Sequence, residues 1–513
     1  MNSTDEIFKF GEVTNYKDAA TAIKDRLDYI RCSFLDLNGT HMTKLISVEQ
    51  ADKLNDRKVE VYPGVIGFGP RFEFVAVSDV FAIKNQNGLL VANWGTLHSL
   101  PWLDKDEQIG LKRIGCVLCD LHWPYGGALE AMPRVAAERM VTRLRDVHKL
   151  IILSAFEPEF RLFKKESVDD EFLSKPSKLS QQKKSSILHK KSIPQEEQDD
   201  SWKSKAPKPI TYGEDYMKTD ILRQMEKFFM RLDTHLKSIG IKVQDFMVEN
   251  GESQVETPME PLEGLASADS YVIMKQTVRE IADSCGMFAS FMTHPILNGH
   301  SNGNHFNFSL WREENGDKTN IFYDASTQKK KKISLLGMHF IGGIMHHMRA
   351  LTALCSPTVN CYRRLKDGWA PTRINWDFHD RFMSLRVKDH EETNPYMENR
   401  LSSSAASPYI VMAATLAAGM DGIERQLLPP EPGLKDNHKA PLLPSNLGQA
   451  IGFLRADETL VKILGKEFVD WFCRAKYEDL KKMPYAKSSG PLLGETQENE
   501  AFLCELHEYF QYI

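Results

Sequence analysis

The sequence has no apolar run approaching the ~20 residues that span a bilayer. Its most apolar stretch, YIVMAATLAAGM (409–420), is short and predicts a buried helix. It has no basic excess: a net charge of -5 offers no field for nucleic acid, so neither nucleic acid nor a membrane is expected as partner. It has no glycine-rich phosphate loop of the G-x-x-x-x-G-K-[ST] kind. Its start, MNSTDEIFKF, shows no basic stretch leading into an apolar run, so no secretory signal is predicted. Cysteine is scarce. Eight in 513 residues, without framework spacing, predict reduced thiols in a cytoplasmic protein. Cys116-Val-Leu-Cys119 lacks the second pair of a zinc site and reads as two core thiols on a strand.

What is present is enough apolar residue, 42% of the chain, to bury a large core, and enough length for two to four domains. Residues 28–102 read as β-rich, with alternating arms around Asn38-Gly39 that predict a hairpin. IGCVLCDL (114–121) reads as a further strand, and a helix is predicted from Pro133 onward. Residues 164–210 are rich in Lys, Ser, Gln and Pro and nearly free of aromatics, which predicts a disordered insertion. Helical spacing then resumes at Ile221, Leu222, Met225, Phe228, Phe229, Leu232 and Leu236.

The stretch SAFEPEFRLF (154–163) sets Glu157, Glu159 and Arg161 on one strand face and Phe156, Phe160 and Leu162 on the other. Two like charges side by side repel, unless a divalent cation turns them into a site. The pattern recurs. FMVENGESQVETP supplies Glu249 and Glu256, with Gln254 on the face of Glu256, and SNGNHFNFSLW puts His305, Asn307 and Ser309 on one face. YMENR carries Glu398 and Arg400, DRFMSLR carries Arg381 and Arg386, and CYRRL carries Arg363 and Arg364. Any one of these alone fits a solvated sheet face or a satisfied core histidine. Together they predict an antiparallel sheet lining a cavity with carboxylates, one imidazole and several guanidiniums. Oxygen ligands with one nitrogen suit Mg²⁺ or Mn²⁺, and arginines suit phosphate and carboxylate. That combination predicts phosphoryl transfer from a nucleotide to an anionic substrate.

In their order, these motifs resemble the type I glutamine synthetase family: E-P-E-F-x-L-F, E-x6-E, G-x-H-x-x-x-S-L, R-R-L, D-R-x4-R and E-N-R-x5-A-x-P-Y. The resemblance runs from about residue 25 to 513 outside the insertion and is nearest to the lengsin-like branch, whose lens members are regarded as inactive. It implies an α+β protein: an N-terminal extension (1–24), a β-grasp-like domain (25–125) and a catalytic domain (126–513) with a curved antiparallel sheet and flanking helices. It also implies two cation sites, Glu159, Glu249 and Glu256 holding one, and Glu157, His305 and Glu398 the other. Arg364, Arg381 and Arg400 would be catalytic. Glutamate would be held by Arg364 and Arg400 with Gly303, His305 and Glu159, and ATP by Arg381, Arg386, Ser309 and Asn307. The implied reaction joins glutamate to ammonia or another amine through γ-glutamyl phosphate, in a homo-oligomeric ring of ten or twelve.

The chain departs from the family pattern where ammonium is handled. VYPGVIGFGP (61–70) contains no acid, and the flap segment LKDGWAP is one residue short, leaving Asp367 as the nearest acid. Asn307 stands for a histidine, Tyr396 for an arginine, His294 for a lysine and Met247 for another histidine. Branches that ligate glutamate to larger amines share the W-A-P pattern. Three readings follow: a weak glutamate–ammonia ligase, a ligase for another amine, and an inactive lengsin-like scaffold with a cytoskeletal partner.

Overall fold

The computed structural model describes residues 7–71, 85–103, 105–106, 110–168, 206–213, 215–326, 333–366, 369–389, 394–433, 439–483 and 495–513. Asp367 and most of the predicted insertion, residues 169–205, lie outside them. The insertion's described flanks continue the sheet: Lys164 N–H donates to Lys208 O at 2.8 Å, and Ile210 N–H to Leu162 O at 3.2 Å.

The Asn38-Gly39 hairpin forms as its turn residues require. Strands Tyr29–Leu35 and His41–Ser47 pair antiparallel, and Gly39 takes φ +78°, a conformation most side chains avoid. Asp36 accepts from the Asn38 and Thr40 amides, both at 2.8 Å, and closes the loop. These strands belong to a six-stranded sheet completed by Ile114–His122, Gly88–Ala92, Glu60–Val61 and His98–Ser99. Cys116 and Cys119 are buried free thiols on its Ile114–His122 strand.

The second sheet has ten strands and curls into a half-barrel. Its spine runs Met247–Val248, Gln254–Glu256, Ile151–Lys164, Asn304–Glu314, Tyr396–Asn399, Leu385–Lys388 and Trp376–Phe378. Neighbours along it are antiparallel except the last pair, which is parallel. On the convex face Phe156, Phe160, Leu162, Phe306 and Phe308 are buried. Phe156 stacks on Tyr271 of helix Ala266–Ser284 at 5.2 Å, and Phe308 meets Phe340 of helix Leu335–Cys355 at 5.6 Å. Helix Pro408–Arg425 covers the same core, and the YIVMAATLAAGM segment within it is wholly buried. A Cβ on Gly343 would meet the Gly422 backbone at 2.7 Å, so the helices Leu335–Cys355 and Pro408–Arg425 touch backbone to backbone. Burying this face commits the alternate residues to the concave face, because side chains alternate across a strand.

The two sheets are joined by buried charge. Arg134 holds Asp269 through two bonds of 2.9 Å and reaches Asp120 of the six-stranded sheet at 3.0 Å. Tyr409 donates to Asp269 at 2.6 Å. Among the described residues no helix is long and apolar enough to cross a membrane.

Candidate active site

Register alone assembles the acidic residues. Glu256 faces Glu159, Glu157 faces His305, Asn307 faces Glu398, and Glu398 faces Arg386. The direct opposition of like charges at Glu256 and Glu159 is unfavourable in any sheet that binds nothing.

Two neighbourhoods result. In the first, Glu157, His305 and Glu398 bring one ligand atom each within 4.8 Å of one another, the one such group among the described residues. His305 Nδ1 stands 3.6 Å from Glu157 and 3.3 Å from Glu398. Glu398 is fully buried and ringed by cations: Arg400 at 2.6 Å, Arg386 at 3.1 Å and Lys388 at 3.1 Å. Burial pushes its pKa up, but His305, Arg400, Lys388 and Arg386 outweigh it and hold the carboxyl far below the usual carboxylate range. Glu157 is likewise lowered: burial opposes ionisation, and His305 and Lys388 overcome it.

The second neighbourhood is Glu159, Glu249 and Glu256. Gln254 Nε2 donates to Glu159 at 2.7 Å and Gly303 N–H donates at 2.9 Å. No lysine, arginine or histidine among the described residues pairs with any of the three within 4.0 Å. Burial, then Glu159, Glu157 and Glu249, push the Glu256 carboxyl well above its ordinary range. Three crowded carboxylates with no cation fit a divalent ion. Such donors also match Mg²⁺ or Mn²⁺, which prefer oxygen.

Gly303 lies between the two. A Cβ there would stand 3.0 Å from Glu159 Oε1, 3.1 Å from Arg364 Nη2 and 3.2 Å from His305 Nε2. The space a side chain would fill is a cradle with anionic and cationic walls. Arg364 is buried beside it, donating to Arg400 O at 3.0 Å and reaching His305 Nε2 at 3.4 Å. Arg400 Nε is buried with no hydrogen-bond partner, a donor awaiting an acceptor.

The remaining expected residues are placed less tightly. Asn307 and Ser309 are buried along the same strand face, with Ser309 Oγ accepting from Trp311 at 2.9 Å. Arg386 bonds His379 O at 3.0 Å and so pins the 379–384 loop to Glu398. Arg381 sits exposed in that loop, outside the cluster. Next to it, Phe382 stacks on Trp369 with centroids 5.6 Å apart, both largely exposed. Arg363 turns away, bonding Glu505 at 2.6 and 3.0 Å and pairing with Glu498.

The sequence reading missed Lys388. Its Nζ stands 3.4 Å from Glu157, 3.1 Å from Glu398 and 3.3 Å from Asn307. The signal was available, since Lys388 follows Arg386 by two in a strand and must share its face. A cavity of about 730 Å³ lined by Phe10, Tyr16, Trp94 and Asp269 holds none of these groups.

Residues 130–489 match the catalytic domain of glutamine synthetase. The chain belongs to the glutamine synthetase family. Among curated relatives, the glutamine synthetase of Thermus thermophilus is 26% identical over 463 residues, covering 88% of this chain and 92% of the relative. That of Pyrococcus abyssi is 27% identical over 475 residues, covering 89% and 93%. The fold is shared with a solved structure described as apo GmaS without ligand: TM-score 0.74, 23% identity, 95% of this chain and 99% of that one. It is also shared with a novel glutamine synthase homolog at TM-score 0.71 and 21% identity, covering 93% and 98%.

Proposed function

We propose that this member of the glutamine synthetase family is an ATP-dependent ligase joining the γ-carboxylate of glutamate to an amine. The observation that carries the proposal is the concave face itself. Glu159, Glu249 and Glu256 crowd together, Glu159 and Arg364 both reach Gly303, and Arg386 and Arg400 converge on Glu398. An apolar protein core has no use for that arrangement, because unpaired buried carboxylates cost several kcal/mol.

In this reading Arg364 and Arg400 hold the carboxylate of glutamate and then the phosphoryl group that forms on it, where fixed guanidiniums need no reorganisation. Arg386 takes nucleotide phosphate, and Arg381 joins it when the exposed loop closes. Asn307 and Ser309 line the nucleotide side. Glu159, Glu249 and Glu256 are the residues that would hold Mg²⁺ or Mn²⁺, with Glu157, His305 and Glu398 on the same sheet. When bound, a cation supplies neutralisation of crowded phosphate and carboxylate oxygens. The γ-phosphate of ATP passes to the γ-carboxylate, giving an acyl phosphate and ADP. The amine then attacks the carbonyl carbon, the carbon–oxygen bond to phosphate breaks, and the amine sheds a proton. No acid lies between Val61 and Pro70 to deprotonate a bound ammonium, so the amine must arrive neutral. The Trp369-Ala370-Pro371 segment, a pattern shared with branches that ligate glutamate to larger amines, supports an amine other than ammonia as acceptor. A homo-oligomer, in which the N-terminal segment of a neighbouring copy closes the open side, and a cytoplasmic setting complete the reading.

Calorimetry with nucleotide, beside phosphate release measured with glutamate and ammonium, hydroxylamine or a series of alkylamines, tests it. Release that needs both glutamate and an amine is expected. Failure to bind ATP by a folded protein would overturn the ligase and leave the scaffold reading.

A further inference from the structure

The two carboxylate neighbourhoods are not equivalent, and the difference lies in one residue. Resting on the ligase reading above, we infer that Lys388 takes the place of a second divalent cation, so that each active site holds one ion, at Glu159, Glu249 and Glu256.

Lys388 is buried, and its ammonium sits where a cation bridging Glu157 and Glu398 would act: 3.4 Å from Glu157 Oε1, 3.1 Å from Glu398 Oε2 and 3.3 Å from Asn307 Oδ1. An ammonium has three protons to donate, and these three oxygens accept them. The other oxygen of Glu398 is taken by Arg400 at 2.6 Å, and Arg386 shares Oε2 at 3.1 Å. Against two carboxylates stand three fixed positive charges. A dication would enter a site whose charge is already overbalanced, in a setting screened far less than water.

His305 points the same way. Arg364 Nη2, which can only donate, stands 3.4 Å from Nε2. His305 Nδ1 faces Glu398 at 3.3 Å, so Arg364 and the carboxylate already engage both ring nitrogens.

The shapes agree with the charges. Glu157, His305 and Glu398 lie within 4.8 Å of one another, with Lys388 paired to both carboxylates and Arg400 to Glu398. Glu159, Glu249 and Glu256 form no such tight group; the hydrogen bonds they accept come from neutral donors, Gln254 and the Gly303 amide to Glu159 and the Asn250 amide to Glu249. That neighbourhood still calls for an ion. Lys388 would supply on one side of the transferred phosphoryl group, as a permanent point charge, what a second ion supplies in a two-ion site.

Manganese titration followed by electron paramagnetic resonance reads the stoichiometry directly, with or without turnover. The wild-type chain should bind one Mn²⁺ and show no dipolar-coupled pair. Lys388→Gln should bind two, with the coupled spectrum of neighbouring ions, and Lys388→Arg should stay at one. Circular dichroism and thermal melting confirm that the variants are folded. Two ions in the wild type, or a folded Lys388→Gln that still binds one, would overturn the role of Lys388 and leave the ligase standing. No Mn²⁺ in the wild type would instead overturn the ligase reading on which it rests.

Discussion

Replacing Glu256 by Gln should stabilise the metal-free protein while abolishing its response to metal. Glu256 lies directly opposite Glu159, and Glu249 closes the group from the neighbouring hairpin. Directly opposed side chains in a sheet stand ~5 Å apart. At that distance and an effective dielectric of ~20, one pair of like charges costs about 3 kcal/mol. Gln keeps the shape and removes that repulsion. With unfolding entropy of about 2 cal/mol/K per residue over the catalytic domain, each kcal/mol moves the melting temperature by about 1–2 °C. Thermal melts in EDTA at pH 8 should place Glu256→Gln about 3–6 °C above wild type. Manganese at a hundred times its dissociation constant should raise wild type by about 2.7 kcal/mol, a similar shift, and leave the variant almost unmoved. A Glu256→Gln that melts below wild type in EDTA would refute the crowding argument. A variant with the full manganese shift would refute the assignment of the ion.

Gly303→Ala should lower turnover by at least ~10²-fold without loss of fold, because its methyl group enters the cradle between Glu159, Arg364 and His305; an active alanine variant would show that the reacting groups lie elsewhere. Arg134→Met should cost about 3–5 kcal/mol in urea unfolding, since it leaves Asp120 and Asp269 buried without their cation. The double change Arg134→Met with Asp269→Asn should recover part of the loss. His347 lies buried between Asp421 at 2.9 Å and Asp457 at 2.6 Å. Burial lowers its pKa, but the two carboxylates outweigh this and raise it. Its imidazolium therefore adds stability fully below the unfolded value near ~6.5, lost as pH rises through the higher folded value. Urea midpoints of wild type and His347→Gln should converge as pH climbs from 6 to 9, and a gap that widens would contradict the ion triad.

Much of this was legible in the sequence because strand alternation leaves little choice. Once Phe156, Phe160, Phe306 and Phe308 claim the core, Glu157, Glu159, His305 and Asn307 must share the other face. The hairpin at Asn38-Gly39 and the buried helix over 409–420 follow equally from turn chemistry and apolar content. Register was beyond reach, for a shift by two residues keeps every side chain on its face while changing every partner. That is why Lys388 went unseen: its face followed from Arg386, yet its contact with Glu157 depends on three strands aligning. Arg363 and Arg364 show the opposite limit. They are adjacent in one helical turn, and the geometry of that turn sends one to Glu505 and the other to Gly303.

The central claim, that this concave face activates a carboxylate by phosphorylating it, is tested most directly by isotope transfer. Glutamate carrying ¹⁸O in its γ-carboxylate is incubated with ATP, Mn²⁺ and the best amine, and the released phosphate is read by ³¹P resonance. The account predicts one ¹⁸O in each phosphate released, carried over when the acyl phosphate is cleaved by the amine. Phosphate released without label would show hydrolysis of ATP by water, and would contradict it.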